Sequence, residues 1–540
     1  MKKIRWILIL LTSVIALSAQ LRMCAEWEPA LGTLVRWPLG VPPLLVQELG
    51  EDAMVYVLVE DAAQAQQAAN AFSYWGVPAA HIEPIVADTY SHWTRDWGPQ
   101  CGFSTDGEMV IADPVFDGYP WVPGGRGYEE DDVVNAQLAA HLGWDLLSLP
   151  AYLTGGNVMY DGQGMAVSTQ QMLDENLPLL SNAAFFNLLE DELGIQHYHI
   201  VDNFESYGIQ HIDCAAKLLD EETMLIKQLP AWHPDYQRME TTAAQLAAIP
   251  TCYGRSFEVF RIFCDSFDGN DCAAYTNSLI LNTKVLVPVY GIPADDDALA
   301  VYETAMPGYE VVGVPYNLWY SYDALHCRTM GVYNPAMLLM RHQKYRGEQS
   351  WQPQWPLEVE ITDYSGSGIV ADSCAVYWQT DGGPWQRESL QSGGGVFTGC
   401  IPAASVGSEI AYYVQSANAD GVIERLPRTA PDGLYRFSVG EVSAQAPVIN
   451  EALAVAVYPN PFHIQDATRA VLQVDFTLKK PQTVQVILYD CTGRKVQQQS
   501  HLASRQNSLC IPAEKLSTGV YVVQVKAAGQ QGAARCVVLR

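Results

Sequence analysis

The chain has 540 residues, too many for one ordinary hydrophobic core, so several domains are expected. Hydrophobic residues make up 49% and aromatic residues 10%, which excludes a largely disordered or collagen-like chain. A net charge of −29, from 31 Lys+Arg against 60 Asp+Glu, argues against nucleic acid as the main partner and favours cationic ligands.

Lys2, Lys3 and Arg5 precede the apolar run Trp6–Leu17, and small residues follow at Ser18 and Ala19. This order predicts a secretory signal peptide over residues 1–19. The run is too short for a comfortable membrane span, and no later stretch is apolar enough for one, so no transmembrane segment is expected in the mature chain. All 12 cysteines lie beyond it, without a CxxC pair or zinc-type spacing. Cys374 and Cys400 flank strands of one small domain and form the disulfide pair expected first.

From residue 22 to 350 strands and helices alternate, the pattern of an α/β domain. Met54–Val59 reads as a strand and Asp61–Phe72 as a helix. Ser278–Tyr290 reads as two strands joined at Asn282-Thr283. Asp295–Thr304 begins with acidic residues, as a first helical turn prefers, and Glu310–Val314 reads as a strand. Residues 351–440 carry short alternating strands such as Ala375–Gln379 and Ile410–Gln415. Turn signals such as Asp381-Gly382-Gly383-Pro384 separate them, the pattern of an immunoglobulin-like β-sandwich. Residues 441–451 read as a linker. The block 452–540 is again all-β, and its runs YPNPF (458–462), LYDCTGRKV (488–496) and LSTGVYVVQV (516–525) resemble the C-terminal sorting domain of the type IX secretion system. The resemblance implies contact with that machinery and a secreted or outer-membrane surface-attached protein.

Four patches of the first block combine chemistry-bearing residues: WTRDWGP (93–99), TGGN (154–157), HIDC (211–214) and DALHCRT (323–329). Each alone has a bland reading, as an ion pair, a turn, a strand face or a bridged cysteine. His211 and Asp213, two apart, are expected on one face of a strand. Together the patches offer a cysteine nucleophile, a histidine and two carboxylates suited to a guanidinium. With YTNSLILN (275–282) and TAMPGYEVVGV (304–314), they resemble in residue and order the guanidino-group-modifying superfamily, in its agmatine deiminase and bacterial peptidylarginine deiminase branch.

The resemblance implies a five-bladed pentein-type α/β propeller, followed by the immunoglobulin-like sandwich and the all-β sorting domain. It implies Cys327 as nucleophile, Asp96 and Asp213 as the carboxylates gripping the guanidinium, and His211 as general acid and then base. Asn277 matches the asparagine near the nucleophile, and Trp93 the residue lining the substrate's aliphatic stem. Arg95 is read as structural. Arg126, in the Gly-rich loop 123–132, matches one of two arginines that receive a substrate carboxylate in the secreted branch; the second is missing here, and Tyr207 stands four residues before His211 instead of three. The implied reaction is hydrolytic deimination of arginine in peptides or proteins to citrulline and ammonia, with a preference for C-terminal arginine. No cofactor is required; the acidic run Asp295-Asp296-Asp297 is the place considered for a structural calcium ion. A secreted agmatine or free-arginine deiminase, a cysteine protease or amidase, and a non-enzymatic surface-binding protein stand as alternatives.

Overall fold

The computed structural model describes residues 20–119, 128–177 and 179–441. In the C-terminal block it describes 451–458, 462–463, 471–478, 482–490, 494–503, 506–513, 516–527 and 530–539. The signal segment, Arg126, and most of the expected linker lie outside the described residues. Contacts divide the chain into two units, one of residues 1–349 with 353–439, the other of 350–352 with 440–540.

The α/β part of the first unit repeats one small design five times. In each sheet an antiparallel pair is followed by a parallel neighbour, reached through a helix. The first sheet pairs Gln100–Phe103 with Met109–Val115 and then Asp145–Tyr152. The second uses Met159–Tyr160, Met165–Thr169 and His197–Val201. The third uses Ala216–Asp220, Thr223–Gln228 and Glu258–Phe263. The fourth uses Leu279–Leu281, Lys284–Val289 and Glu310–Pro315. The fifth joins chain ends, pairing Met330–Tyr333 with Ala30–Arg36 and continuing to Met54–Val59 and Ile82–Val86.

Local chemistry explains the elements. Met54–Val59 sits between two parallel neighbours and is apolar on both faces, as a covered parallel strand requires. The helix Ala62–Tyr74 starts where the Asp61 carboxylate accepts the Gln64 amide, satisfying one of its free donors. Asn282 takes the left-handed backbone conformation at φ 55°, turning the Leu279–Leu281 strand back on Lys284–Val289. The helix Ala294–Ala305 confirms the acidic start. Asp295 is buried there, and its carboxylate accepts the amides of Tyr290, Gly291 and Ile292 and the Tyr275 hydroxyl. Asp296 and Asp297 are exposed. Among the described residues no metal-competent cluster forms at this run.

Shared cores tie the sheets together. One joins the first and fifth sheets through Ile111, Phe103, Leu58 and Val332. Another joins the fifth and fourth through Val55, Val57, Leu286 and Val314. A third spans the fourth, third and second through Val285, Leu225, Ile226 and Val167. The last joins the second and first through Ala166, Val110 and Ala112.

Two antiparallel sheets pack over one core further along, with Trp355, Leu357 and Phe397 from one sheet against Val376, Tyr412 and Phe437 from the other. This sandwich begins ahead of Trp351, because Leu338–Arg341 and Gly347–Ser350 pair into its sheets and Leu338 and Met340 point into its core. It is fastened to the α/β part. Tyr364 stacks on Phe103 and accepts from Arg22 Nε at 2.9 Å, and Thr429 donates to the Pro307 carbonyl at 2.8 Å. The expected Cys374–Cys400 disulfide is absent. The two cysteines face different surroundings: Cys374, just ahead of the strand Ala375–Thr380, is buried against Ser416 Oγ at 3.2 Å, while Cys400, in the strand Val396–Pro402, faces the Glu388 carboxylate. The second unit is all-β, two sheets over a core that includes Leu472, Val474, Val486 and Val523. No helix among the described residues is long and apolar enough to cross a membrane.

Candidate active site

A short turn stands directly before the first strand of each of the five sheets. These turns are Thr94–Trp97, Gly155–Asn157, Ile212–Cys214, the turn around Asn277, and His326–Arg328. The sequence patches are therefore the same structural position repeated, and the fold brings them together. His211 and Asp213 do not share a strand face. His211 caps a 3-10 turn that contains Asp213, and the strand begins only at Ala216.

Gly156 shows how tightly these turns converge. A Cβ there would lie 2.6 Å from Asp96 Oδ1 and 2.8 Å from His211 Nδ1, both closer than atoms tolerate, and 3.3 Å from Asp213 Oδ2, a tight contact. Three acid–base groups thus pack against Gly156, and only glycine fits between them. Gly155 is required for a second reason: its Cβ would lie 2.1 Å from the Arg95 carbonyl. Asn157 locks the arrangement, since its Oδ1 accepts from the Thr169 amide, the Thr169 hydroxyl and the Ile212 amide.

The nucleophile candidate lies beside them. Cys327 Sγ is 3.8 Å from Asp213 Oδ2 and accepts the Asn277 side-chain amide at 3.2 Å. Asn277 Oδ1 in turn accepts the backbone amides of His326 and Cys327, fixing the turn that presents the sulfur. From the other side Arg328 forks onto Asp323 with two bonds of 2.8 Å and stacks its guanidinium over Trp319.

Electrostatics separates the groups. The hydrogen bond with Cys214 favours ionisation of Cys327, but burial and the charges of Asp213, Asp323 and Asp96 push the thiol up to about 11. Burial works to discharge His211, yet Asp96, 3.4 Å from Nδ1, with Asp213 and Glu175, raises its pKa above the ordinary histidine value. Burial opposes ionisation of Asp213 too, and His326, His211 and Arg95 overcome it, holding the carboxyl below its ordinary range. His211 Nε2 and Asp213 Oδ1 are buried without a hydrogen-bond partner among the described residues. Trp93 forms the adjoining wall, edge-on to Tyr119 at 5.4 Å and to Tyr128 at 5.5 Å, and the Tyr119 hydroxyl donates to Asp96 Oδ2.

Sequence reasoning left out the layer beneath. Glu26 accepts from Lys217 at 2.7 Å, from His326 Nε2 at 2.7 Å and from the Ile280 amide at 2.8 Å. The other ring nitrogen of His326 meets Asp213 Oδ2 at 2.8 Å. Burial would raise Glu26, but Lys217, His326 and Arg95 carry it well below the carboxylate range. Arg95, read as structural, donates to the Thr329 carbonyl at 3.1 Å and sits 3.9 Å from Glu26. Lys217 places a charge among the apolar residues of the strand Ala216–Asp220. Glu175 was also missed: burial raises it to about 7, held back first by the charge of His211. Tyr207 is exposed.

Residues 22–332, more than half of the chain, match the model of the Porphyromonas-type peptidyl-arginine deiminases. The chain belongs to this family. Residues 456–539 match the secretion-system C-terminal sorting domain, so the deiminase-family chain carries a type IX address for secretion or surface attachment. Among curated relatives, a "Putative agmatine deiminase" of Shewanella frigidimarina is 24% identical over 270 residues, 44% of this chain and 72% of its own. The structure of an agmatine deiminase of Enterococcus faecalis aligns at 22% identity with a TM-score of 0.51, covering 58% of this chain and 96% of its own. A "Putative Arginine Deiminase" of Porphyromonas gingivalis aligns at 22% identity and a TM-score of 0.51, over 58% and 98%. These neighbours give the α/β part a deiminase-type fold.

Proposed function

We propose that this member of the deiminase family hydrolyses the guanidinium of arginine in peptides or proteins to citrulline and ammonia. The observation that carries the chemistry is the grouping of Asp96, His211 and Asp213 around Gly156, with the Cys327 sulfur 3.8 Å from Asp213 Oδ2. Two carboxylates can hold a planar cation by its N–H groups while sulfur faces its central carbon. In the ring of shared cores we read the five sheets as the blades of a pseudo-fivefold propeller, with the five turns at one end. The sandwich of residues 338–440 is read as immunoglobulin-like.

The chemistry then runs in two halves. In the resting site the acids keep Cys327 as a thiol. A guanidinium between Asp96 and Asp213 cancels their field and favours the thiolate. The thiolate attacks the guanidinium carbon, His211 gives its proton to one terminal nitrogen, and ammonia leaves. A covalent amidino-thioether remains on Cys327. His211 next takes a proton from water, which adds to the same carbon; the C–S bond breaks and the ureido product departs. Asn277 orients the sulfur, and Trp93 with Tyr119 and Tyr128 flanks the alkyl stem. None of these steps calls for a cofactor.

Export by the sorting domain supports a peptide or protein substrate, since such chains are met outside the cell. Tyr119 and Tyr128, at the two ends of the loop that carries Arg126, both pack on Trp93. Arg126 lies between these two tyrosines in the sequence, and we assign it the carboxylate-receiving role that the family resemblance implies, and hence a C-terminal preference. The agmatine deiminases among the relatives favour a second reading, a small guanidine as substrate. The test is citrulline and ammonia release from a peptide ending in arginine, the same peptide with arginine internal, free arginine and agmatine. Turnover is expected with the arginine-ending peptide, falling at least about 10⁵-fold in Cys327→Ala. Turnover of agmatine alone would move the substrate to small amines, and no turnover by folded protein would overturn deimination.

A further inference from the structure

Beside the nucleophile stands a second cysteine that the deimination steps do not use. Cys214, Cys327 and Asp213 are all buried, and one ligand atom from each lies within 4.8 Å of the other two. We propose that these three groups form a binding site for a thiophilic divalent cation of the zinc class, and that the bound metal switches deimination off.

The donor set selects the ion. Two sulfurs and one carboxylate oxygen suit Zn²⁺, Cd²⁺ or Co²⁺ and are poor ligands for Ca²⁺ or Mg²⁺. Zn–S bonds near 2.3 Å and Zn–O bonds near 2.0 Å set tetrahedral edges of roughly 3.5–3.8 Å. Cys327 Sγ already stands 3.8 Å from Asp213 Oδ2, so small side-chain rotations complete the set. The surroundings are built to hold it. The Asn277 amide reaches both sulfurs, at 3.2 Å for Cys327 and 3.6 Å for Cys214, and N–H donors stabilise thiolates. His326 fixes Asp213 from behind at 2.8 Å, the outer support that metal-binding side chains need. Binding forms two metal–sulfur bonds and one metal–oxygen bond. It releases the two thiol protons to solvent and leaves the fourth position to water. The inhibition rests on the reading of Cys327 as nucleophile: a sulfur bonded to metal cannot attack, and Asp213 can no longer hold the guanidinium.

The test uses the tag-free mature chain, reduced, freed of metal by chelation and kept from oxygen. Co²⁺ titration is expected to give one equivalent of a tetrahedral complex with a thiolate charge-transfer band, displaced by Zn²⁺. Cys214→Ala and Cys327→Ser, each confirmed folded by circular dichroism, are expected to weaken binding at least about 100-fold. Zn²⁺ is expected to compete with the guanidine substrate and to be reversed by chelator. A cobalt spectrum without turnover of any substrate would leave the metal site standing and sink the deiminase reading. Turnover without the cobalt spectrum would overturn the metal site. Binding that survives both substitutions would overturn it too. So would inactivation reversed by reductant and not by chelator, which would mean a Cys214–Cys327 disulfide instead.

Discussion

Beneath Cys327, Glu26 is matched by Lys217, His326 and a backbone amide; above it, Asp96, His211 and Asp213 crowd around Gly156, with His211 Nε2 and Asp213 Oδ1 lacking hydrogen-bond partners among the described residues. Both layers are buried and charged, yet one is settled and the other is not. A buried polar atom without a partner is expensive to keep, so the unpaired layer is where a ligand would recover the most free energy. The paired layer holds the unpaired one in place: His326 binds Asp213 Oδ2, the oxygen that also faces Cys327 and Gly156, while Oδ1 has no hydrogen-bond partner among the described residues.

The largest break in this contrast is at Asp213, which belongs to both layers. Asp213→Asn removes a carboxylate charge from the proposed guanidinium site and from the bond with His326, and kcat/KM is expected to fall by about 10³-fold or more. Citrulline assays with protein of unchanged circular dichroism check this; a loss under tenfold would remove Asp213 from substrate binding. Gly156→Ala comes next. Its methyl group would push against Asp96 and His211, so an expected loss of about 100-fold in kcat/KM accompanies a moderately lower melting temperature. A large fall in melting temperature with normal turnover would make the glycine a packing requirement only. Glu26→Gln tests the lower layer alone. Lys217 and His326 lose their charged partner, so the protein should melt lower, with kcat down about tenfold and KM within about twofold. An equal rise in KM would place Glu26 in substrate binding instead of support.

The two layers were not equally legible in the sequence. The upper one is carried by compact runs, with Asp96, His211, Asp213 and Cys327 each embedded in a distinctive patch. Glu26 and Lys217 sit in ordinary-looking strand and loop text, because support from below depends on which residues face each other across sheets and leaves no local pattern. The fivefold repeat was invisible for a related reason. The five units share a hydrogen-bonding plan but not residues, and their crossovers differ, from the single helix Tyr236–Ala247 to the pair Gln171–Asn176 and Asn182–Leu193. Strands and helices with strong local signals, such as Met54–Val59 and Ala294–Ala305, were read correctly. His211-x-Asp213 was misread as a strand face because spacing alone does not distinguish an extended run from a tight turn.

The smallest effect compares two buried acids on either side of this divide, and here the sign matters. Burial alone would raise Asp323, but His92, its Nε2 3.9 Å from the carboxylate, and the Arg328 fork bring it down to about 2, from an ordinary 3.8. A depressed carboxyl stabilises the fold above its unfolded pKa and loses that contribution as pH falls through the folded value. Asp323 should therefore withdraw about 1 kcal/mol of stability between pH 5 and pH 3. Glu175, raised to about 7 by burial, runs the other way: its contribution is whole below the unfolded value of 4.5 and is lost as pH rises through about 7. Urea unfolding of the full chain against Asp323→Asn should show the stability gap narrowing by about that 1 kcal/mol from pH 5 to pH 3. Against Glu175→Gln, the wild-type chain should lose ground from pH 5 to pH 8. A gap independent of pH for Asp323→Asn would mean that the Arg328 fork holds the nucleophile's turn by shape alone, without the charge.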